Sequence, residues 1–263
     1  MTGRNSDGGE RVTICVSSQA GCVYGCKFCA TGQGGYGRNL SQGEIVEQVL
    51  YFLPSVARAG APPAISNIVF MGMGEPFANY GPVMGAIGAL NAPWGLGLGA
   101  RHLTVSTVGL VPEIWRFAQE RVQAGLAISL HAPSDVLRDQ LVPVNRKYPL
   151  KPLLAACRQY IARTNRRVTF EYILLAGVND SMSHAAELAT LLRGLLCHVN
   201  LIPNNPTPDG PFGRPEPGVM RAFTDALKRA GIPATLRATQ GMEIQAACGQ
   251  LQTGSQRRNS SEP

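Results

Sequence analysis

No apolar run in this chain is long enough to cross a bilayer, and the opening MTGRNSDGGER has no apolar core of the kind a secretory signal carries. The expectation is therefore a cytoplasmic protein with no membrane attachment, most simply a monomer. Cysteine is too sparse and too unevenly placed for a disulfide framework. There are seven, three of them within eight residues, which suits metal binding in a reducing compartment. Lysine is scarce as well: four of the 24 basic residues (27, 147, 151, 228), so 20 are arginine. The net charge is +7 and the pI about 9.2. An arginine-heavy basic surface suits a nucleic-acid partner, because guanidinium pairs with phosphate bidentately and stacks on bases. Taken alone, that composition fits GC-rich coding equally well.

What is present begins with a core. The 263 residues, 44% of them hydrophobic and with mean hydropathy near zero, suffice for one large α/β domain. The most informative stretch is Cys22-Val23-Tyr24-Gly25-Cys26-Lys27-Phe28-Cys29, with its thiols spaced C-x3-C-x2-C. Cysteine thiolates are the usual ligands of iron–sulfur centres. A closed zinc site, or a four-iron electron carrier, takes four protein ligands, and no fourth lies nearby. Three ligands on a four-iron cluster leave one iron open to a small molecule, and an open metal position implies chemistry. The bland alternatives are buried thiols or part of a zinc knuckle.

Along the chain, residues 1–10 are polar and aperiodic and read as a flexible leader; residues 11–252 form the core domain, and 253–263 a disordered basic tail. Strands are expected at Val12–Ser18, Ile65–Gly72, Leu103–Val108, Leu126–His131, Val168–Leu174, Val199–Pro203 and Ala234–Ala238. These runs are short and rich in Val, Ile, Leu and Thr, as strands buried on both faces are. Helices are expected at Ser41–Ala57, Pro112–Ala124, Leu150–Thr164, Ser183–Leu195 and Pro217–Ala230. The first opens on a capping box, Ser41 and Glu44; the last stops at Gly231. Strand–helix alternation of this kind predicts a parallel sheet, and six or seven units predict an open (β/α)6 partial TIM barrel. Its catalytic groups belong at the C-terminal ends of the strands.

The cysteine loop resembles the signature of the radical S-adenosylmethionine (SAM) enzymes, and further motifs narrow the likeness. C-V-S-S-Q-A-G-C (15–22), C-K-F-C-A-T-G (26–32), R-N-L (38–40), G-E-I-V-E-Q-V (43–49) and F-M-G-M-G-E-P (70–76) form one group. S-T-V-G (106–109), I-S-L-H-A-P (128–133), V-N-L-I-P-x-N-P (199–206) and A-A-C-G-Q-L (246–251) form another. Together, from about residue 11 to 251, they resemble the RlmN/Cfr family of radical SAM RNA methyltransferases.

That resemblance implies a [4Fe–4S] cluster on Cys22, Cys26 and Cys29, and two SAM molecules per turnover. It implies methylation of adenine C2 in 23S rRNA and in tRNA, at the adenosine beside the anticodon. Adenine C2 is not nucleophilic, so ordinary displacement on SAM cannot methylate it. By resemblance, Cys248 takes a methyl group from one SAM. A deoxyadenosyl radical from the second removes a hydrogen from that S-methyl group, and the carbon radical adds to the base. Cys15 then attacks the Cys248 sulfur, freeing the product and leaving a Cys15–Cys248 disulfide. Both thiols must become thiolates near the cluster. Gly74 and Glu75 match the residues that bind the amino group of SAM's methionine. Ser106, Ser129, Leu130 and His131 match further SAM contacts, and Asn205 the adenosine-binding asparagine. A low-potential donor such as flavodoxin or ferredoxin would supply electrons.

Outside these motifs, Cys157 and Cys197 read as core. A lone His131 would more often be a satisfied core histidine than a ligand. Glycines 72 and 74 read as places where backbone approaches a ligand. Arg38, Arg138, Arg146, Lys147, Arg166 and Arg167 are candidates for phosphate contact, and the target base must leave its stack. The Arg166–Arg167 pair reads equally as a solvated cap before a strand. Family members usually carry a helical domain before the barrel and a strand bearing an acid proposed as proton acceptor; Thr2 occupies that acid's expected position. Three rivals remain at this stage: a Cfr-type adenine C8 methyltransferase, a SAM- or RNA-binding barrel without methyl transfer, and a plain iron–sulfur electron carrier.

Overall fold

The computed structural model describes residues 2–4, 10–56, 65–206 and 210–237. In order the elements are β1 (Thr2–Arg4), β2 (Glu10–Cys15), β3 (Gln19–Gly21), α1 (Ala30–Gln33), β4 (Tyr36–Asn39), α2 (Gln42–Val56), β5 (Ile65–Phe70), α3 (Tyr80–Asn91) and β6 (Leu103–Thr107). Then come α4 (Val111–Phe117), β7 (Gly125–Ser129), α5 (Asp135–Leu141), α6 (Leu150–Thr164), β8 (Val168–Leu174), α7 (Met182–Leu192), β9 (Cys197–Pro203), α8 (Pro217–Arg229) and β10 (Ala234–Leu236). One sheet runs β1-β2-β5-β6-β7-β8-β9-β10, and β3 pairs with β4 in a separate ribbon.

From β2 to β10 the sheet is parallel, and helices carry every crossover. Seven parallel strands linked this way are the open (β/α)6 architecture that the alternation predicts, with β10 added at the far edge. β1 is the exception. It pairs antiparallel with β2, Gly3 opposite Arg11. The flexible-leader expectation therefore does not hold for Thr2–Arg4. Three residues joined by backbone bonds to an edge strand need no hydrophobic pattern, so none was there to read.

Elements form where burial and caps agree. β8 is buried at six of its seven positions, so no polar alternation survives in V-T-F-E-Y-I-L. On α6 the residues at helical spacing, Leu150, Leu153, Leu154, Cys157 and Tyr160, are buried against the sheet. Cys197 on β9 is buried too, so both cysteines outside the motifs are core. The capping box holds as expected: Glu44 N–H donates to Ser41 Oγ at 3.2 Å, and Ser41 N–H to Glu44 Oε2 at 2.8 Å. α8 closes with Gly231 at φ +79°, Ile232 N–H reaching back to the Leu227 carbonyl.

Two helices depart from expectation. Residues 118–124 do not continue α4; Glu120 is drawn aside to accept from the Tyr80 hydroxyl at 2.8 Å. α3 was not predicted, because Gly81, Gly85 and Gly88 weaken its propensity. Burial overrides that weakness: Val83, Ala86, Ile87 and Leu90 are all at 0–1% exposure.

The core also contains a cation. Arg138 of α5, expected on the surface as a phosphate contact, is fully buried. Its Nε donates to the Leu130 carbonyl at 3.0 Å and Nη1 to Asn145 Oδ1 at 2.7 Å. Nη2 donates to the carbonyls of Val108 (2.6 Å) and Ser129 (3.0 Å). Burial pulls its pKa down to about 10, still charged at neutral pH. An arginine can satisfy acceptors in several directions at once; a lysine cannot.

Arg138→Met should thus strand three buried carbonyls, at about 1 kcal/mol or more each, and lower stability by about 3 kcal/mol. Arg138→Lys should recover little of it. Urea unfolding of the metal-free protein checks both, and a fully stable lysine variant would show that the fork geometry is unimportant.

Candidate active site

The strand ends open onto a cavity of about 160 Å³. One wall carries Cys22, Cys26 and Cys29, from the loop between β3 and α1. Backbone bonds fix this loop: Cys22 N–H to the Gly35 carbonyl at 2.9 Å, Lys27 N–H to the Leu141 carbonyl at 3.0 Å, and Cys29 N–H to the Cys26 carbonyl at 3.1 Å. Gly25 turns at φ +58°. Burial raises the Cys22 thiol to about 11, with the nearby Glu75 and Cys29 charges adding to the rise. Cys26 is pushed up further, again first by burial and then by Cys29 and Cys22. These thiols suffer for being together unless a soft cation replaces their protons.

Among the described residues, no three His, Cys, Asp or Glu side chains gather tightly enough for a single metal ion. Thiols that border one cavity yet stand too far apart for one ion suit a polynuclear iron–sulfur centre rather than a zinc knuckle. The donor set therefore fits a cluster held at three points.

Glu75, at the end of β5, supplies the next wall. It is 2% exposed, its Oε1 accepts from Phe77 N–H at 3.0 Å and its Oε2 from Val108 N–H at 2.8 Å. Burial pushes its pKa up to about 7 against those bonds. Each oxygen keeps a lone pair, so an amino group still finds an acceptor here. The glycines beside it do a different job from the one expected. A Cβ on Gly72 would lie 2.6 Å from Ser17 Oγ, and one on Gly74 (φ +97°) 2.5 Å from Gln19 Cβ. Their missing side chains let this loop press on the segment leading into the cysteines. Gln19 Oε1 also accepts from Glu75 N–H at 2.9 Å.

Ser106 and Ser129, on neighbouring β6 and β7, both line the cavity, with their hydroxyl oxygens 3.4 Å apart. His131 lines it as well, at a left-handed φ of 61°. Its Nδ1 accepts from Ile173 N–H at 3.0 Å, and its ring meets Phe28 edge-on at 4.5 Å. Burial, with the Arg138 charge behind it, lowers its pKa to about 3, so the ring is neutral. Its bonds are those of a core histidine that also borders the cavity.

Other expected residues sit elsewhere. The Leu130 side chain is buried outside the cavity, and its carbonyl is held by Arg138. Asn205 is buried in a smaller neighbouring pocket with Lys27 and Phe28. Cys15, half-buried at the end of β2, is not among the residues lining the cavity. Cys248 lies outside the described residues, as does the 253–263 tail. Of the basic candidates, Arg38 is exposed but paired with both oxygens of Glu44. Arg146 and Lys147 are exposed, while Arg166 and Arg167 precede β8, at the opposite end of the sheet from the cavity. Sequence reasoning missed Glu171 and Arg237, which also line the cavity. Glu171 left one signal, a lone charge inside the apolar run V-T-F-E-Y-I-L.

The two shifted groups give a pH test on the cluster-free protein. Glu75, raised in the folded state, draws stability down as pH climbs from about 4.5 to about 7. His131, lowered, adds stability as pH climbs from about 3 to 6.5. Between 4.5 and 6.5 the two slopes oppose. In Glu75→Gln only the histidine slope remains, so its stability relative to wild type should rise by about 1.4 kcal/mol per pH unit across that window. Parallel urea-unfolding profiles from pH 4.5 to 6.5 would show that Glu75 does not titrate there.

Comparison with known proteins agrees with this geometry. Residues 16–189 match the radical SAM superfamily. The chain is 54% identical over 239 residues to a probable dual-specificity RNA methyltransferase RlmN of Desulforudis audaxviator, covering 91% of this chain and 74% of that one. It is 55% identical over 251 residues to the protein of the same name in Chloroflexus aurantiacus, covering 92% and 67%. Its fold matches the crystal structure of a radical SAM methyltransferase from Sphaerobacter thermophilus with a TM-score of 0.88 at 53% identity, covering 95% of this chain and 75% of that one. A three-thiol wall facing polar strand ends, on an open parallel barrel with relatives this near, places the chain in the radical SAM superfamily and, within it, in the RlmN family of RNA methyltransferases.

Proposed function

We propose that this chain methylates adenine C2 in RNA, acting on 23S rRNA and on the tRNA adenosine beside the anticodon. The observation that carries the reading is the cavity itself: three thiols on one wall, and Glu75, Ser106 and Ser129 on the strand ends opposite. The proposed setting is a cytoplasmic monomer served by flavodoxin or ferredoxin. No helix among the described residues is long and apolar enough to cross a membrane.

Cys22, Cys26 and Cys29 would hold the [4Fe–4S] cluster. A cluster bound there supplies the single electron that cleaves SAM's sulfonium. The chain's own groups then have distinct tasks. Glu75 accepts from the amino group of SAM's methionine, and its bond from Val108 N–H keeps the carboxylate aimed along the strand ends. Ser106 and Ser129 offer hydroxyls midway across the cavity. Phe28, Phe70, Ile173 and Ile202 line the remaining walls and keep water from the reacting groups. Cys248 carries the methyl group as a thioether, and Cys15 resolves the product by attacking the Cys248 sulfur. The names of the relatives favour C2 over C8, since they are called RlmN.

Nucleoside analysis after anaerobic reconstitution and incubation with transcribed RNA should yield 2-methyladenosine; 8-methyladenosine would convert the assignment to a Cfr-type enzyme. Cys22→Ala should lose both the brown chromophore and SAM cleavage, and retention of both would refute the ligand role. Cys248→Ala should keep the cluster yet form no methylated base. Normal turnover by that variant would rule out a methyl-carrying thiol.

A further inference from the structure

Glu171 has no part in the chemistry above, yet it is the charged group set deepest on the cavity wall of β8. It is 3% exposed, fourth of the seven residues of its strand, in register with Ser129 on β7 and Asn200 on β9. Its Oε1 accepts from Asn200 Nδ2 at 2.9 Å. Its Oε2 is buried and has no hydrogen-bond partner among the described residues. Arg237 Nη1 stands 3.9 Å from that oxygen, near enough to offset charge but too far to donate a hydrogen bond. Both side chains border the same cavity as the thiols. A buried carboxylate oxygen without a donor is costly, and a ligand that donates to it would remove the cost.

Position decides which donor. Four adjacent parallel strands, β5 to β8, each bring one polar group to this cavity: Glu75, Ser106, Ser129 and Glu171 in that order. Glu75 is at the thiol end, where its charge acts on Cys22. Glu171 is at the other end, three strands away. A ligand whose amino group rests at Glu75 presents its sugar, not its methionine, to Ser129 and Glu171. A carboxylate with a free oxygen is a standard acceptor for ribose hydroxyls, as in dinucleotide-binding sheets.

We propose that Glu171 accepts a hydrogen bond from the ribose diol of SAM's adenosyl group through Oε2, with Asn200 and Arg237 holding the carboxylate in place. This assignment rests on the reading of the cavity as a SAM site. It makes Glu171 a specificity determinant: it distinguishes a ribose from a deoxyribose and leaves the electron-transfer wall untouched.

The test is equilibrium dialysis of anaerobically reconstituted holoenzyme against SAM and its 2′-deoxy and 3′-deoxy analogues. Wild type should bind at least one analogue about tenfold or more weakly than SAM, the worth of one hydrogen bond to a charged group. Glu171→Gln should bind SAM about tenfold more weakly than wild type and lose most of that discrimination. Equal affinity of wild type for SAM and both analogues overturns the proposal without needing any variant to fold. So does a Glu171→Gln protein that binds all three ligands more weakly by one common factor, which is the mark of a merely structural role. Wild type that binds no SAM at all would sink the SAM-site reading itself, a result distinct from either of these.

Discussion

The site depends on one buried cation. Arg138 takes the carbonyls of Val108, Ser129 and Leu130 into a single fork, and these belong to the ends of two neighbouring strands. Strand ends at a barrel mouth leave the sheet's hydrogen-bond ladder, so their carbonyls need partners that the ladder no longer supplies. Arg138 supplies them from below. The N–H of Val108 is thereby left pointing at Glu75, and the Ser129 hydroxyl at the cavity. Burying a guanidinium is expensive, and its four bonds are what make the arrangement tolerable.

Much of the architecture was legible because the physics behind it is local or periodic. Val168–Leu174 and Leu150–Thr164 run where the apolar patterns say they should, since burial on both faces, or on one helical face, leaves a direct trace in sequence. α3 left almost none. Its three glycines argue against a helix, and only packing against α2, where a Cβ on Gly85 would strike Gln42, accounts for them. β1 left none either, because its hold on β2 is entirely backbone.

The site was legible in part, for a related reason. The thiol spacing states its chemistry, since few arrangements other than a metal centre use three cysteines so closely set. Arg138 was misread because a lone arginine beside acids looks like a surface residue; nothing nearby in sequence announces that its acceptors come from residues 108, 129 and 130. Gly72 and Gly74 were noticed for the right property and given the wrong neighbour, protein rather than ligand. Glu171 is the reverse case, a charge in an apolar strand that the eye passes over because the strand itself is so clear.

The contact between Gly74 and Gln19 has a consequence for how the enzyme is assembled. Gln19 stands three residues before Cys22 and also binds Glu75 through its side chain. The iron-binding arm and the cradle for the amino acid moiety are therefore braced against one another across a single shared seam. Iron inserted into the first stiffens the second before any nucleoside arrives, so maturation has a built-in sequence: metal first, sulfonium donor second.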